Sequence, residues 1–201
     1  VADYTQSFLT SVDRGMMYEV GGFWKLDTPG VREGLIETSA QRKAVGYTND
    51  PTDRGGETKF GIAKSGNPDL NITTLDWDAA VRRYFRSYWQ FVHCDELDDM
   101  GLHRLAALHF DSAMNHGVGR APIFLQRAVG VGEDGDIGPA TLKAALALDE
   151  INVCNRLCDI RAQFYKDIVA KKPDQVKYIN GWMRRIEEMR AFTTNPAQAF
   201  A

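Results

Sequence analysis

The residues of this chain best suited to chemistry are carboxylates placed where a helix stops and where a turn doubles back. Glu19 stands in Tyr18-Glu19-Val20-Gly21-Gly22, and a long polar stretch runs from Gly46 to Ile62 as Gly-Tyr-Thr-Asn-Asp-Pro-Thr-Asp-Arg-Gly-Gly-Glu-Thr-Lys-Phe-Gly-Ile. Hydrolysis of a glycosidic bond needs one carboxylic acid to protonate the leaving oxygen. It also needs a second polar group to position water or steady a cationic sugar. Asp50-Pro51, Asp53 and Gly55-Gly56 cannot continue a helix, because proline lacks the amide hydrogen and glycine is too free. A polar loop of this kind on a rigid scaffold is a usual seat of function, and an ordinary surface turn has the same composition.

The elements that must hold these residues are mostly helices. Tyr4, Phe8, Leu9, Val12 and Met16 recur at helical intervals, which predicts an amphipathic helix over residues 3–19 closed by Gly21-Gly22. Glu19 then falls in the last turn, where the helix dipole disfavours a carboxylate, the kind of local misfit expected of a working residue. Residues 23–45 show no clean period and read as an inserted loop with one short helix around Arg32 to Ala44. Thr58 to Ile62 can pair as a strand, and Ala63 to Ile72 form a second loop. Trp77, Val81, Tyr84, Phe85 and Tyr88 mark a helix opened by Thr73 or Thr74 as cap. Further helices are predicted from Leu102 to Met114, over 121–129 ending at Gly130, from Pro139, from Ile151 to before Pro173, and around Trp182, Ile186 and Met189. The fold class is α+β, mainly α, a helical body with a small sheet beside the N-terminal loop.

With 201 residues, one domain with two lobes is the expectation, and 44% hydrophobic residues are ample for a core. The net charge of −3 argues against a general nucleic-acid binder, although Arg82, Arg83 and Arg86 could form a locally basic face. No apolar run is long enough to span a bilayer, and Val1-Ala2-Asp3-Tyr4 does not resemble a secretory signal. Synthesis in the cytoplasm, or prior trimming, is expected. The odd count of three cysteines fits a reducing compartment, with Cys154 and Cys158 on one helical face as core. His93, His103, His109 and His116 follow no zinc spacing, and Asp134-Gly135-Asp136 lacks the spaced oxygens of an EF-hand, so no metal site is assigned.

Three blocks of sequence carry a family resemblance. Tyr47, Asn49, Pro51, Asp53, Gly55, Gly56, Thr58, Gly61 and Ile62 fall in the register Tyr-x-Asn-x-Pro-x-Asp-x-Gly-Gly-x-Thr-x-x-Gly-Ile. Phe110-Asp111-Ser112-Ala113-Met114-Asn115-His116-Gly117 with Arg120-Ala121 form the second block. Leu125-Gln126, Asp134 to Leu142, and Gly181-Trp182 with Arg185 form the third. In that order they resemble the N-acetylmuramidases of glycoside hydrolase family 108, within the lysozyme-like superfamily, with a C-terminal peptidoglycan-binding-like segment. The resemblance implies lobes at 1–120 (catalytic, with 23–45 inserted) and 121–195. It departs at the acid, since Val20 separates Glu19 from the two glycines that follow it directly in the family.

The resemblance implies a muramidase of endolysin type that cuts the β-1,4 bond between N-acetylmuramic acid and N-acetylglucosamine. Glu19 would be the general acid, Asp53 the second carboxylate and Thr58 the holder of a water, with Tyr47, Asn49, Lys59 and Asn115 binding sugar. Rivals stay open: Glu33 in Arg32-Glu33-Gly34-Leu35 and then Glu37 for the acid, Asp50 for the second carboxylate, and a helix-cap role for Asn115. Phe23, Trp24 and Phe60 are candidates for the apolar setting that keeps Glu19 protonated. Glycan strands of peptidoglycan are the expected partner of a monomer, with no cofactor, nucleic acid or membrane insertion. Delivery to the wall would be by a holin or as part of a phage virion. A lytic transglycosylase on the same fold and a non-catalytic peptidoglycan-binding module are the alternatives.

Overall fold

The computed structural model describes residues 4–53, 55–195, 197, 198 and 200. The chain divides into a unit of Leu9–Ser87 and a unit of Val1–Phe8 with Tyr88–Ala201.

Helix α1 (Gln6–Glu19) opens at Thr5, whose Oγ1 accepts from the Phe8 amide at 3.3 Å. Its apolar stripe is narrower than the sequence implies. Phe8, Val12 and Met16 are fully buried, whereas Leu9 is 39% exposed. The helix closes with the Gly22 amide donating to the Met17 carbonyl at 2.9 Å and Gly21 at φ +67°. That is a Schellman-type cap in which Glu19 is the last helical residue and Val20 the half-helical residue after it.

In the Leu9–Ser87 unit, residues 20–38 form successive turns before α2 (Ser39–Ala44), which is shorter than the predicted Arg32–Ala44 helix. Gly34 prevents an earlier start. It sits at φ +69°, and a Cβ there would come within 2.1 Å of the Leu75 carbonyl oxygen. Thr38 and Gln41 make a capping box that starts the helix at Ser39. Strands β1 (Thr58–Lys59) and β2 (Ile62–Ala63) pair antiparallel, Thr58 opposite Ala63 and Lys59 opposite Ile62, and Thr48 bridges to Thr58 on the other side. Helix α3 (Trp77–Tyr84) is capped by Asp76, which accepts from the Ala79 amide at 2.7 Å, and not by Thr73 or Thr74. A π-helical turn, Phe85–Trp89, follows it.

The other unit is built on α5 (His103–His116), buried from Leu105 through Ala113 and packed against α4 (Cys94–Asp99), α6 (Ala121–Val129), α8 (Glu150–Lys171) and α9 (Ile179–Thr194). Helix α7 (Pro139–Leu146) packs on α6 and α8. Phe8, Trp89 and Phe110 meet at ring separations of 5.2 to 6.0 Å. Cys94, Cys154 and Cys158 are free thiols in this core. At its centre Asp111 takes Arg161 at 2.6 Å and Arg185 at 2.9 Å. Because α5 packs with α6, α8 and α9, the compact units part at Ser87/Tyr88, whereas the sequence reading parts the lobes at residue 120. The architecture is α+β and mainly α, with one small antiparallel sheet among the described residues. No helix among them is long and apolar enough to cross a membrane.

Candidate active site

Glu19 is held at the hairpin by a close approach. A Cβ added to Gly61 would lie 3.1 Å from Glu19 Cβ, 3.3 Å from Glu19 Cγ and 2.8 Å from the Tyr84 hydroxyl oxygen. Only glycine leaves room for the end of α1 and the tip of Tyr84 at one turn. Gly61 also sits at φ +72°, a conformation that L side chains avoid. Val20 is buried, and a Cβ on Gly46 would meet its Cγ1 at 2.7 Å. Val20 is therefore taken up by the helix cap and packed on Gly46, and the Glu19 side chain meets the hairpin at Gly61.

The turn itself is strained and braced. Phe60 and Gly61 form the two-residue loop of the hairpin, with φ +52° and +72°, the geometry of a type I′ turn. A phenylalanine in the left-handed region costs about 1–2 kcal/mol. Burial of its ring offsets this. Phe60 is fully buried, edge-on to Trp24 at 6.1 Å and tilted against Trp77 at 5.5 Å, while Trp24 and Trp77 meet at 4.6 Å. The Phe60 amide donates to the Val45 carbonyl at 2.7 Å, and its carbonyl accepts from the Tyr84 hydroxyl at 2.7 Å. Trp24 is fixed in turn by donating Nε1–H to Asp13 at 2.6 Å. Of the three expected apolar neighbours, Trp24 and Phe60 are buried together, and Phe23 is 58% exposed.

The carboxylate loop leads into β1. Asp50 accepts from the Thr52 amide at 2.8 Å and hydroxyl at 2.6 Å, which hold its carboxyl below the usual range. Asp50 therefore builds a turn. Asp53 Oδ1 accepts from the Gly55 amide at 2.8 Å, and Asp53 is exposed. The Gly55 carbonyl accepts from the Ser65 amide at 3.1 Å, tying this loop to the far side of the hairpin. Thr58 is half-buried, and its hydroxyl donates to the Gly56 carbonyl at 3.2 Å. Glu57 is half-buried: Oε1 accepts from the Tyr47 hydroxyl at 2.9 Å and the Thr73 hydroxyl at 2.7 Å. Burial and the Glu57 carboxylate push the Tyr47 phenol above its ordinary value, so it stays a neutral donor.

One expectation is corrected. Lys59, read as a sugar ligand, is fully buried, and its ammonium donates to the Thr73 carbonyl at 2.7 Å. The alternation of β1 turns Thr58 one way and Lys59 the other, into the interior. Burial lowers the lysine pKa, and the charges of Glu57 and Asp76 oppose that shift. Asn49 is exposed near the Tyr47 hydroxyl. Asn115 belongs to the other unit, where it donates to the Tyr165 hydroxyl at 2.8 Å. Glu33 lines a separate shallow cavity with Arg32, Thr74, Asp76 and Asp78, a set without a hairpin residue. Tyr84 is the positioning residue the sequence conceals, since its helical spacing marks only a core aromatic. Among the described residues no group of three or more His, Cys, Asp or Glu side chains could hold a metal ion.

Residues 34–117 match the family model described as Glycosyl hydrolase 108, and residues 120–187 match one described as Predicted Peptidoglycan domain. The chain thus carries a glycosyl hydrolase 108 segment followed by a peptidoglycan domain, and peptidoglycan is its substrate class. Glu19 lies ahead of the matched residues, and the match begins inside the stretch read as an insertion. The chain is also similar to the solved structure titled "Structure of Brucella abortus SagA", with 27% identity over 76% of this chain and 90% of that one, and a TM-score of 0.60. Comparison with the curated proteins returns no match.

Proposed function

We propose that the chain is a muramidase that hydrolyses the β-1,4 bond between N-acetylmuramic acid and N-acetylglucosamine, with Glu19 as general acid. The observation that carries this reading is the approach of Glu19 to Gly61, which puts a carboxyl group at a rigid turn instead of on a free loop. Glu19 is exposed in the unliganded protein. A glycan strand lying over it excludes water, disfavours the charged carboxylate and leaves the proton available for the glycosidic oxygen. As the bond breaks, positive charge develops on the muramic sugar. Asp53 is the second carboxylate. Its Oδ1 accepts from the Gly55 amide, and Oδ2 is the oxygen that would meet substrate or water. The Thr58 hydroxyl, with a long bond to Gly56, keeps lone pairs for that water. Tyr47, oriented by Glu57, and Asn49 offer a flat face and an amide to the sugar.

Mass spectrometry of digested sacculi tests the reading with wild type, Glu19→Gln and Glu33→Gln side by side. The expected products of wild type and Glu33→Gln are muropeptides with reducing N-acetylmuramic acid ends, and Glu19→Gln yields none. Products ending in 1,6-anhydro sugars would mean a transglycosylase instead. Full activity of Glu19→Gln would remove Glu19 from the mechanism.

A further inference from the structure

The Tyr88–Ala201 part of the chain holds a cavity of about 520 Å³ that the hydrolytic site does not use. His116, Arg120, Ile123, Phe124, Arg127 and Phe164 line it, all on α5, α6, α8 or the turn that opens α6. We propose that this cavity binds a free carboxylate of the peptide stem of peptidoglycan, so that the chain grips the stem as well as the glycan. The inference rests on the reading of peptidoglycan as substrate.

Four features converge on an anion with a small apolar neighbour. First, the Arg120 guanidinium lies over the Phe164 ring at 4.7 Å, which holds its plane, and its protein hydrogen bond is a long one of 3.5 Å to the His116 carbonyl. Its donors remain available for a planar, bidentate carboxylate. Second, at the start of α6 the Ala121 amide donates to the Gly117 carbonyl at 3.1 Å and Pro122 has no amide hydrogen, so of the first three residues only Ile123, part of the wall, keeps a backbone donor for a ligand.

Third, the Nε–H of buried Arg161 donates to His116 Nε2 at 3.1 Å. A guanidinium cannot accept a hydrogen bond, so the imidazole is neutral with its proton on Nδ1, a further donor on a lining residue. Burial, with Arg161 next, pushes the His116 pKa down to about 3, so it stays neutral. Behind it Arg161 and Arg185 both pair with Asp111, at 2.6 and 2.9 Å. Fourth, the faces and edges of Phe124 and Phe164, 5.3 Å apart, suit the methyl groups of alanine. Arg127 is already neutralised by a bidentate pair with Glu133 at 2.8 and 2.6 Å, so it shapes the wall and leaves Arg120 as the binding cation.

The charge balance selects this ligand over a neutral one. The chain as a whole is at −3, yet this cavity carries the unpaired cation Arg120, which favours a carboxylate of the stem over its neutral amide. The test is calorimetric titration of the full chain with the tripeptide L-Ala-γ-D-Glu-L-Lys as free acid, with the same peptide amidated at its carboxyls, and with inorganic phosphate. Amidation and Arg120→Glu are each expected to weaken binding about tenfold or more, with Arg120→Lys intermediate. Arg120→Gln serves in place of Arg120→Glu should the charge reversal fail to fold, as judged by circular dichroism. Equal binding of acid and amide, or an unchanged affinity in the Arg120 variants, overturns the proposal. Phosphate binding as tightly as the free acid also overturns it, as a general anion site. Stem binding and sacculus digestion are separate readouts. A wild type that binds the tripeptide and digests nothing would count against the muramidase reading alone.

Discussion

Gly61→Ala isolates the geometry on which the proposed acid depends. The added methyl would sit 3.1 Å from Glu19 Cβ and 2.8 Å from the Tyr84 oxygen. Carbon atoms rest at about 3.5–4.0 Å, so the end of α1 must retreat by about 0.5 Å. A misplacement of about 1 Å can cost on the order of 100-fold in rate, so half of that corresponds to about tenfold in kcat. Separately, alanine in the left-handed conformation loses about 1–2 kcal/mol of stability, a fall in Tm of a few degrees for a chain of this size. Gly22→Ala is the control. Gly22 has φ +79°, but its Cβ would meet nothing within 4 Å. Both variants should show the stability loss in thermal melts, and only Gly61→Ala should lose about tenfold in the rate of sacculus clearing. Equal activity in the two variants would refute the claim that crowding at Gly61 sets the position of the acid.

Other outcomes follow from the same structure. Glu19→Gln should cut turnover at least 100-fold, on the order expected for a lost general acid, while Glu33→Gln stays within about twofold of wild type by the same assay. Lys59→Met should leave sugar affinity unchanged in binding titrations, because Lys59 is fully buried; a large rise in KM would return it to the sugar site. Asp111→Asn should destabilise the protein by about 3–5 kcal/mol in denaturant melts, since it removes the carboxylate charge with which both Arg161 and Arg185 pair. His109 and His116 have pKa values lowered to about 4 and about 3, chiefly by burial. Both lie below the unfolded value of about 6.5, so their stabilising effect is complete above that pH and fades as pH falls toward the folded values. At about pH 5 the loss is about 2 kcal/mol for each, as an upper figure, and an unchanged denaturation midpoint between pH 7 and pH 5 would refute it.

Much of this was legible from residue spacing where one local rule decides. Gly21-Gly22 marked the end of α1, Gly130 the end of α6 and Pro139 the start of α7, each by backbone chemistry that tertiary contacts did not override. The Thr58–Ile62 segment reads as one strand but doubles back at Phe60-Gly61, so that it supplies both arms of a hairpin and draws Ala63 out of the predicted loop. Short elements were harder to see. Helix α4 is the acidic run Cys94–Asp99 and has no apolar period of its own, and Asp76 outcompeted two upstream threonines as the cap of α3. In the site, the type of a residue did not reveal which way it faced. Lys59 reads as a sugar ligand, yet it is buried on Thr73, and its neighbour Glu57 clamps two hydroxyls. A hydroxyl at the end of a core aromatic, as in Tyr84, becomes visible only when its partner carbonyl at Phe60 is brought to it.

Asp111 bears on how this protein can be taken apart. It lies on α5, inside the stretch that matches the hydrolase family, but both arginines that neutralise it come from the stretch that matches the peptidoglycan domain. A fragment trimmed at Gly117 would retain the acid, the hairpin and the carboxylate loop, and would leave an ionised aspartate in an apolar helix with nothing to balance it. The border drawn by sequence families is therefore not a place where the chain can be cut. Exchanging tail segments between such enzymes to redirect them to other walls will succeed only when the incoming piece brings its own pair of guanidinium groups.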